Sequence, residues 1–281
     1  MRPLLLASVV LWGCSSGPDL VQPPPIDQVC FVPADGGVFV NGFPLPIPGC
    51  ASRSGDAGVL DLRTEGLWAK GGVLVVPPVD AGVALPVVVV FHGAGGFGTF
   101  IRQDFQLEGP ADGGAIFVYP NALQGTWDIG PSSADGLALD RLLGELARRY
   151  CIDPGQIDLA GFSAGAVFTL YMACNEGPTF RAVASVAGTS DRFDTACCKA
   201  PVSTILIHGT QDPTIDFPSG LATRDDVRQR NHCGTTSSPD SAECVTYAGC
   251  SKPLDWCVWD GMHEVPAWAG AEAWRFFSAA P

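Results

Sequence analysis

Five short apolar runs mark the middle of the chain: "VVVVF" (87 to 91), "AIFVY" (115 to 119), "IDLAGF" (157 to 162), "AVASVAG" (182 to 188) and "TILIHG" (204 to 209). None alternates with polar residues, and all are rich in β-branched or small side chains, the pattern of strands covered on both faces. Parallel strands are therefore expected. Between them, "ADGLALDRLLGELARRY" sets Leu137, Leu139, Leu142, Leu143 and Leu146 at helical spacing with charges on the opposite side. The segments after Ser163 and from Ala267 onward also carry helical spacing. This alternation predicts an α/β protein with one doubly wound, mostly parallel sheet in a single domain. No internal repeat is visible. An N-terminal extension and a cysteine-rich stretch near residues 231 to 257 stand outside the pattern.

Two segments read G-x-S-x-G, "GCSSG" at 13 to 17 and "GFSAG" at 161 to 165. Ser15 has neither a strand before it nor a helix after it. Ser163 follows the run "IDLAGF" and precedes "AGAVFTLYMAC", whose Val167, Leu170, Tyr171 and Cys174 share a helical face. That context is a strand-to-helix turn so sharp that glycines are needed at 161 and 165, with the amide of Ala164 directed at an attacked carbonyl. The alternative is a Gly/Ser packing turn without chemistry.

A serine hydroxyl needs a base to become a nucleophile, and the chain has only four histidines. His92, in "FHGAGG", directly follows a strand, the position and composition of a loop whose amide, that of Ala94, completes an oxyanion hole. His208 ends a buried strand and reads as structural, and His232 lies in a polar, Cys-flanked segment that reads as surface. His263, between the last strand-like run and the C-terminal helix, is the best base. The acid that orients it should stand at a strand end between Ser163 and His263, which points to Asp212 in "LIHGTQDPTID", with Asp216 in reserve.

The first stretch, "MRPLLLASVVLWGC", has one Arg and an apolar run too short to span a bilayer, so residues 1–14 read as an export signal with a lipobox-like end. Either Cys14 is lipidated and residues 15–35 form a Pro-rich tether, or the protein is simply secreted; residues 36–281 form the catalytic domain. Setting Cys14 aside leaves ten of the 11 cysteines, an even count that behind an export signal predicts five disulfides and no free thiol. A metal site is the rival reading, but the spacings lack paired C-x2-4-C ligands, so no metal and no organic cofactor is expected. The formal charge of −13 argues against a nucleic-acid partner and against anionic polymers, leaving a small-molecule or polysaccharide-linked ester as substrate. Membrane contact is expected only through a lipid on Cys14, and the oligomeric state is not legible.

"VVVVFHGAGG", "VYPNALQGTWD", "YCIDPGQIDLAGFSAGAVFTLYMAC", "ILIHGTQDPTIDF", "RNHC" and "YAGCSKPLDWCVWDGMHEVP" together make the chain, from about Arg63 to its end, resemble the secreted esterases of the α/β-hydrolase superfamily that include feruloyl esterases and polyhydroxybutyrate depolymerases. The resemblance implies that fold, with Ser163 as nucleophile, His263 as base, Asp212 as orienting acid, and the amides of Ala94 and Ala164 as oxyanion hole. Two departures concern the substrate side: Ala164-Gly165-Ala166 stands where many relatives have Asn and two glycines, and Val265 precedes Pro266 where depolymerase-type relatives carry Trp-Pro. The reading is a serine carboxylesterase for small or aromatic acyl groups, with Phe97, Phe100, Trp127 and Trp268 as candidate acyl-stacking residues. Its alternatives are a depolymerase-like esterase, a serine peptidase, or a silent envelope lipoprotein that binds carbohydrate.

Overall fold

The computed structural model describes residues 55–78, 82–241 and 243–281. The leader, Cys14, the tether, and Cys30 and Cys50 lie outside the described residues.

Ten strands form one sheet: β1 (Gly58–Asp61), β2 (Gly72–Val76), β3 (Leu85–Phe91), β4 (Ile116–Pro120), β5 (Ile152–Phe162), β6 (Ala182–Val186), β7 (Ser203–Gly209), β8 (Ser237–Pro239), β9 (Cys244–Tyr247) and β10 (Leu254–Trp259). Their spatial order is β1-β2-β4-β3-β5-β6-β7-β10-β9-β8. The six strands from β4 to β10 are mutually parallel, and antiparallel pairs close both edges. All five apolar runs are strands of the parallel part, as the lack of alternation required.

Successive side chains on β3 serve opposite cores. Val87, Val89 and Phe91 join Ile157, Leu159 and Val183 on one face; Val88 and Val90 join Ala160, Ala184 and Ile205 on the other. The first face is covered by α3 (Ala134–Arg149) and α4 (Ala164–Glu176), and the second by α1 (Gly98–Phe105), α2 (Glu108–Ala111) and α6 (Ala269–Ala279). α3 turns Leu139, Leu142, Leu143 and Leu146 inward, while Ser133 caps it by accepting from the Gly136 amide. α5 (Phe217–Arg230) covers Leu206 and Trp256 beyond α4, its Asp216 cap accepting from the Ser219 amide. α4 is buried almost all round, so it packs on every side. Its Phe168 meets Phe91 edge-on at 4.9 Å and stacks on Trp127 at 5.2 Å, contacts that add about 0.5 to 1.5 kcal/mol each beyond area burial.

All eight cysteines among the described residues are disulfide-bonded. Three bridges join Cys174 to Cys198, Cys233 to Cys250 and Cys244 to Cys257. The first ties the end of α4 to the β6–β7 connection; the other two fasten the short strands β8 and β9 against β10, where little apolar area is available to hold them.

Candidate active site

Strand β5 ends at Phe162 and α4 begins at Ala164, so the whole reversal falls on Ser163, held at φ 54°, ψ −120°. A side chain there adopts such angles only when the surroundings force it. The force comes from close backbone approach. A Cβ on Gly161 would lie 2.3 Å from the Gly165 carbonyl oxygen, and one on Gly165 would lie 2.2 Å from that of Phe91. The Ser163 amide donates to the Val186 carbonyl at 3.0 Å, fixing the turn to β6.

The acid stands in the turn after β7. Asp212 accepts the Thr214 and Ile215 amides on Oδ1 at 2.8 and 2.9 Å, and His263 Nδ1 donates to Oδ2 at 2.7 Å. Burial alone would raise the carboxyl pKa. The hydrogen bonds from His263, Ile215 and Thr214 outweigh it and hold the group below its ordinary value, as the carboxylate. Because the carboxylate takes the Nδ1 proton, Nε2 is left as an acceptor, and the Ser163 hydroxyl donates to it at 2.8 Å. The Phe162 ring packs on the imidazole at a centroid distance of 4.9 Å. Asp216, the reserve acid, is spent as the α5 cap.

The ladder between β7 and β10 continues into the loops that carry acid and base: Thr210 N donates to Trp259 O, and Gln211 N to Gly261 O, each at 2.9 Å. Gly209 allows this, since a Cβ there would lie 2.3 Å from the Gly261 carbonyl oxygen. His208 is buried beneath, its Nε2 donating to the Ile215 carbonyl at 2.8 Å, which makes it a brace for the acid turn. His232 is exposed, with Nδ1 3.3 Å from the Ser251 hydroxyl.

His92 is also a brace, but for the loop after β3. Its Nδ1 donates to Gly93 O at 2.7 Å and its Nε2 accepts the Ala122 amide at 3.0 Å, an arrangement that only the neutral ring can make. Desolvation by burial lowers its pKa accordingly. Around it, the Gly95 amide donates to Gly125 O and the Gly98 amide to Asn121 Oδ1, each at 2.7 Å. Ala94 is left exposed at the crest of the loop, and among the described residues neither its amide nor that of Ala164 has an acceptor. A group whose folded pKa lies below its unfolded value contributes stability above the unfolded value, about 6.5 for His, and loses it as pH falls. Replacement of His92 by Gln should therefore cost less relative to the wild type at pH 5 than at pH 7.5. Thermal melts of the two proteins at both pH values read this, and a constant difference would refute it.

Trp127 is not available for stacking on a substrate. It is 5% exposed; its indole donates to the His92 carbonyl at 2.7 Å, and Phe91 and Phe168 occupy its ring. It supports the loop from below. Phe97 and Phe100, in contrast, are 52% and 57% exposed. Trp268 is half-buried at the start of α6. Residues that the sequence reading did not single out include Asn121, Ala122 and Asp135; Asp135 accepts the Leu123 and Asp128 amides and so shapes the segment that backs His92. The only signal for them was their place in "VYPNALQGTWD", just past a buried strand.

Residues 138–244 match the model of the phospholipase/carboxylesterase family, a span that includes Ser163 and Asp212 and ends before His263. The chain is 29% identical over 197 residues to the probable feruloyl esterase C of Aspergillus terreus, covering 65% of this chain and 72% of that protein. It is 28% identical, over the same shares, to feruloyl esterase C of Emericella nidulans. Among solved structures, the acetyl xylan esterase from Aspergillus awamori superposes with a TM-score of 0.64 at 16% identity, over 79% of this chain and 99% of that one. The fold is that of the α/β-hydrolases, and the resemblance to feruloyl esterases read from the sequence holds.

Proposed function

We propose that this protein, an esterase of the α/β-hydrolase kind, is an exported serine carboxylesterase that hydrolyses esters of small or aromatic carboxylic acids. The observation that carries the reading is the continuous chain from Asp212 Oδ2 through the His263 ring to Ser163 Oγ, with two acceptor-free amides beside the hydroxyl. In this mechanism Ser163 Oγ attacks the ester carbonyl while His263 Nε2 takes its proton. The amides of Ala94 and Ala164 donate to the oxyanion, and Asp212 stabilises the imidazolium. The proton passes to the leaving alcohol oxygen as the tetrahedral adduct collapses to an acyl-serine. Water, deprotonated by the same nitrogen, then releases the acid. Each step needs only side chains and amides of this chain.

The cysteines support an oxidising compartment, and among the described residues no helix is long and apolar enough to cross a membrane. A lipid on Cys14 would tether the enzyme. The preference for small or aromatic acyl groups is supported by the feruloyl esterase relatives and by the short connections from β3 to β7, which among the described residues contain no lid insertion to shelter a long acyl chain. Methyl ferulate or p-nitrophenyl butyrate should exceed p-nitrophenyl palmitate in kcat/KM by at least about tenfold. Preference for the palmitate, or for oligomeric 3-hydroxybutyrate, would overturn the acyl assignment.

A further inference from the structure

Two cavities open along α1. One, of about 330 Å³, lies between the β1–β2 hairpin and the start of the helix, where Asp61, Val73, Phe97 and Asn121 are among its walls. The other, of about 490 Å³, lies between α1, α2 and the first turn of α6, and its walls include Gln103 and Gln106. Thr99 lines both, so they form one groove. The groove opens near the edge of the sheet that holds Ser163: Gly72 pairs with Pro120 at the end of β4, and Phe97 follows the loop that carries Ala94.

β4 and β3 separate β2 from β5. Three interstrand steps of about 4.8 Å put the hairpin end of the groove roughly 14 Å from the β5 terminus. A ligand whose carbonyl sits at Ser163 reaches that far only if it extends well beyond the ester. The lining chemistry states what the extension must be. The Thr99 hydroxyl and the Gln103 and Gln106 amides are exposed and make no hydrogen bond among the described residues, so each offers both donors and acceptors to hydroxyl groups. Phe97 and Phe100, edge to face at 5.8 Å, present ring surface to apolar C–H faces. Arg102 is paired with Glu108 through Nε at 2.6 Å and Nη2 at 2.9 Å, which leaves no unpaired cation in the lining for an anionic chain. The Asp61 carboxylate and the net charge of −13 oppose one further.

We propose that the groove along α1 binds the neutral polysaccharide chain to which the scissile ester is attached. The proposal deepens the esterase reading, on which it rests for the direction of the substrate, and its test keeps the two apart. Calorimetric titration of the Ser163→Ala protein with xylohexaose, cellohexaose and mannohexaose should show saturable binding of at least one. The double substitution Gln103→Ala/Gln106→Ala should weaken that binding by at least about fivefold, and Phe97→Ala should weaken it separately. An oligogalacturonide of the same length should not bind. Absence of saturable binding by all three neutral hexaoses, or binding indifferent to both sets of substitutions, overturns the groove. Hydrolysis of p-nitrophenyl acetate by the wild-type protein is read independently. Hydrolysis without glycan binding sinks the groove alone, whereas binding without hydrolysis sinks the esterase reading alone.

Discussion

Replacing Ser163 by Ala should lower kcat/KM on p-nitrophenyl acetate by about 10³-fold or more, and His263→Ala should do the same, while the double variant should lose little beyond either single one. The non-additivity follows from the geometry. The hydroxyl donates to Nε2 at 2.8 Å, and that nitrogen is an acceptor only because Asp212 holds the proton on Nδ1 at 2.7 Å. Once either partner is gone, the other has nothing to activate or nothing to be activated by, so the second substitution removes a function already lost. The residual rate should come from the amides of Ala94 and Ala164. Thermal stability separates chemistry from folding, because Ser163 and His263 are both partly exposed and Ala fits in either place. Retention of most activity by His263→Ala would reject the base, and losses that multiply in the double variant would reject the unit.

The second large effect is structural. Gly165→Ala adds one methyl group, yet that carbon would lie 2.2 Å from the Phe91 carbonyl oxygen, 2.5 Å from the Phe91 carbonyl carbon and 2.6 Å from the His92 carbonyl oxygen. All three contacts are backbone atoms of β3 and the loop that follows it, so no rotamer change relieves them. Either α4 lifts from the sheet or the His92 loop shifts. The expected cost is roughly 3 kcal/mol or more, together with a loss of activity out of proportion to any loss of stability, because either movement displaces the Ala164 amide from the Ala94 amide. Denaturant titration and kcat/KM read the two effects. A variant with native stability and activity would show that the elbow tolerates side chains where its geometry leaves no room. Gly144→Ala, in α3 with open space around it, is the control for a glycine substitution without a clash.

How much of this could be read from the sequence depended on whether a residue's surroundings were local. The five parallel strands were legible because burial on both faces removes polar residues from the run itself. The edges were not. β8 is three exposed residues, Ser237, Ser238 and Pro239, with no apolar side chain to mark them. β5 begins five residues before its apolar run, through Asp153, Pro154 and Gly155, which read as a turn; the structure admits them by a shift of register between Leu85 and Val87 on β3. In the site, Ser163 was legible because its turn is encoded by neighbours two residues away on either side. Trp127 was not. "GTWD" looks like an exposed loop, and the groups that bury the indole are the His92 carbonyl 35 residues earlier and Phe168 on α4. The same distance in sequence hid the groove along α1, whose walls come from β1, β2, the segment after β4, α1, α2 and α6.

The paired backbone that joins residues 210–211 to 259–261 bears on the second half of the proposed reaction. Once Ser163 is esterified, its oxygen no longer carries a proton, and the hydrogen bond that linked it to His263 is gone. Nothing else that positions the ring involves the serine: the imidazole is oriented by Asp212, the loop beneath it is fastened to the neighbouring strand, and Phe162 flanks it. The base thus keeps its place through the very event that removes its first partner. It meets an incoming water in the position it held for the hydroxyl, so deacylation requires no rebuilding of the machinery that acylation used.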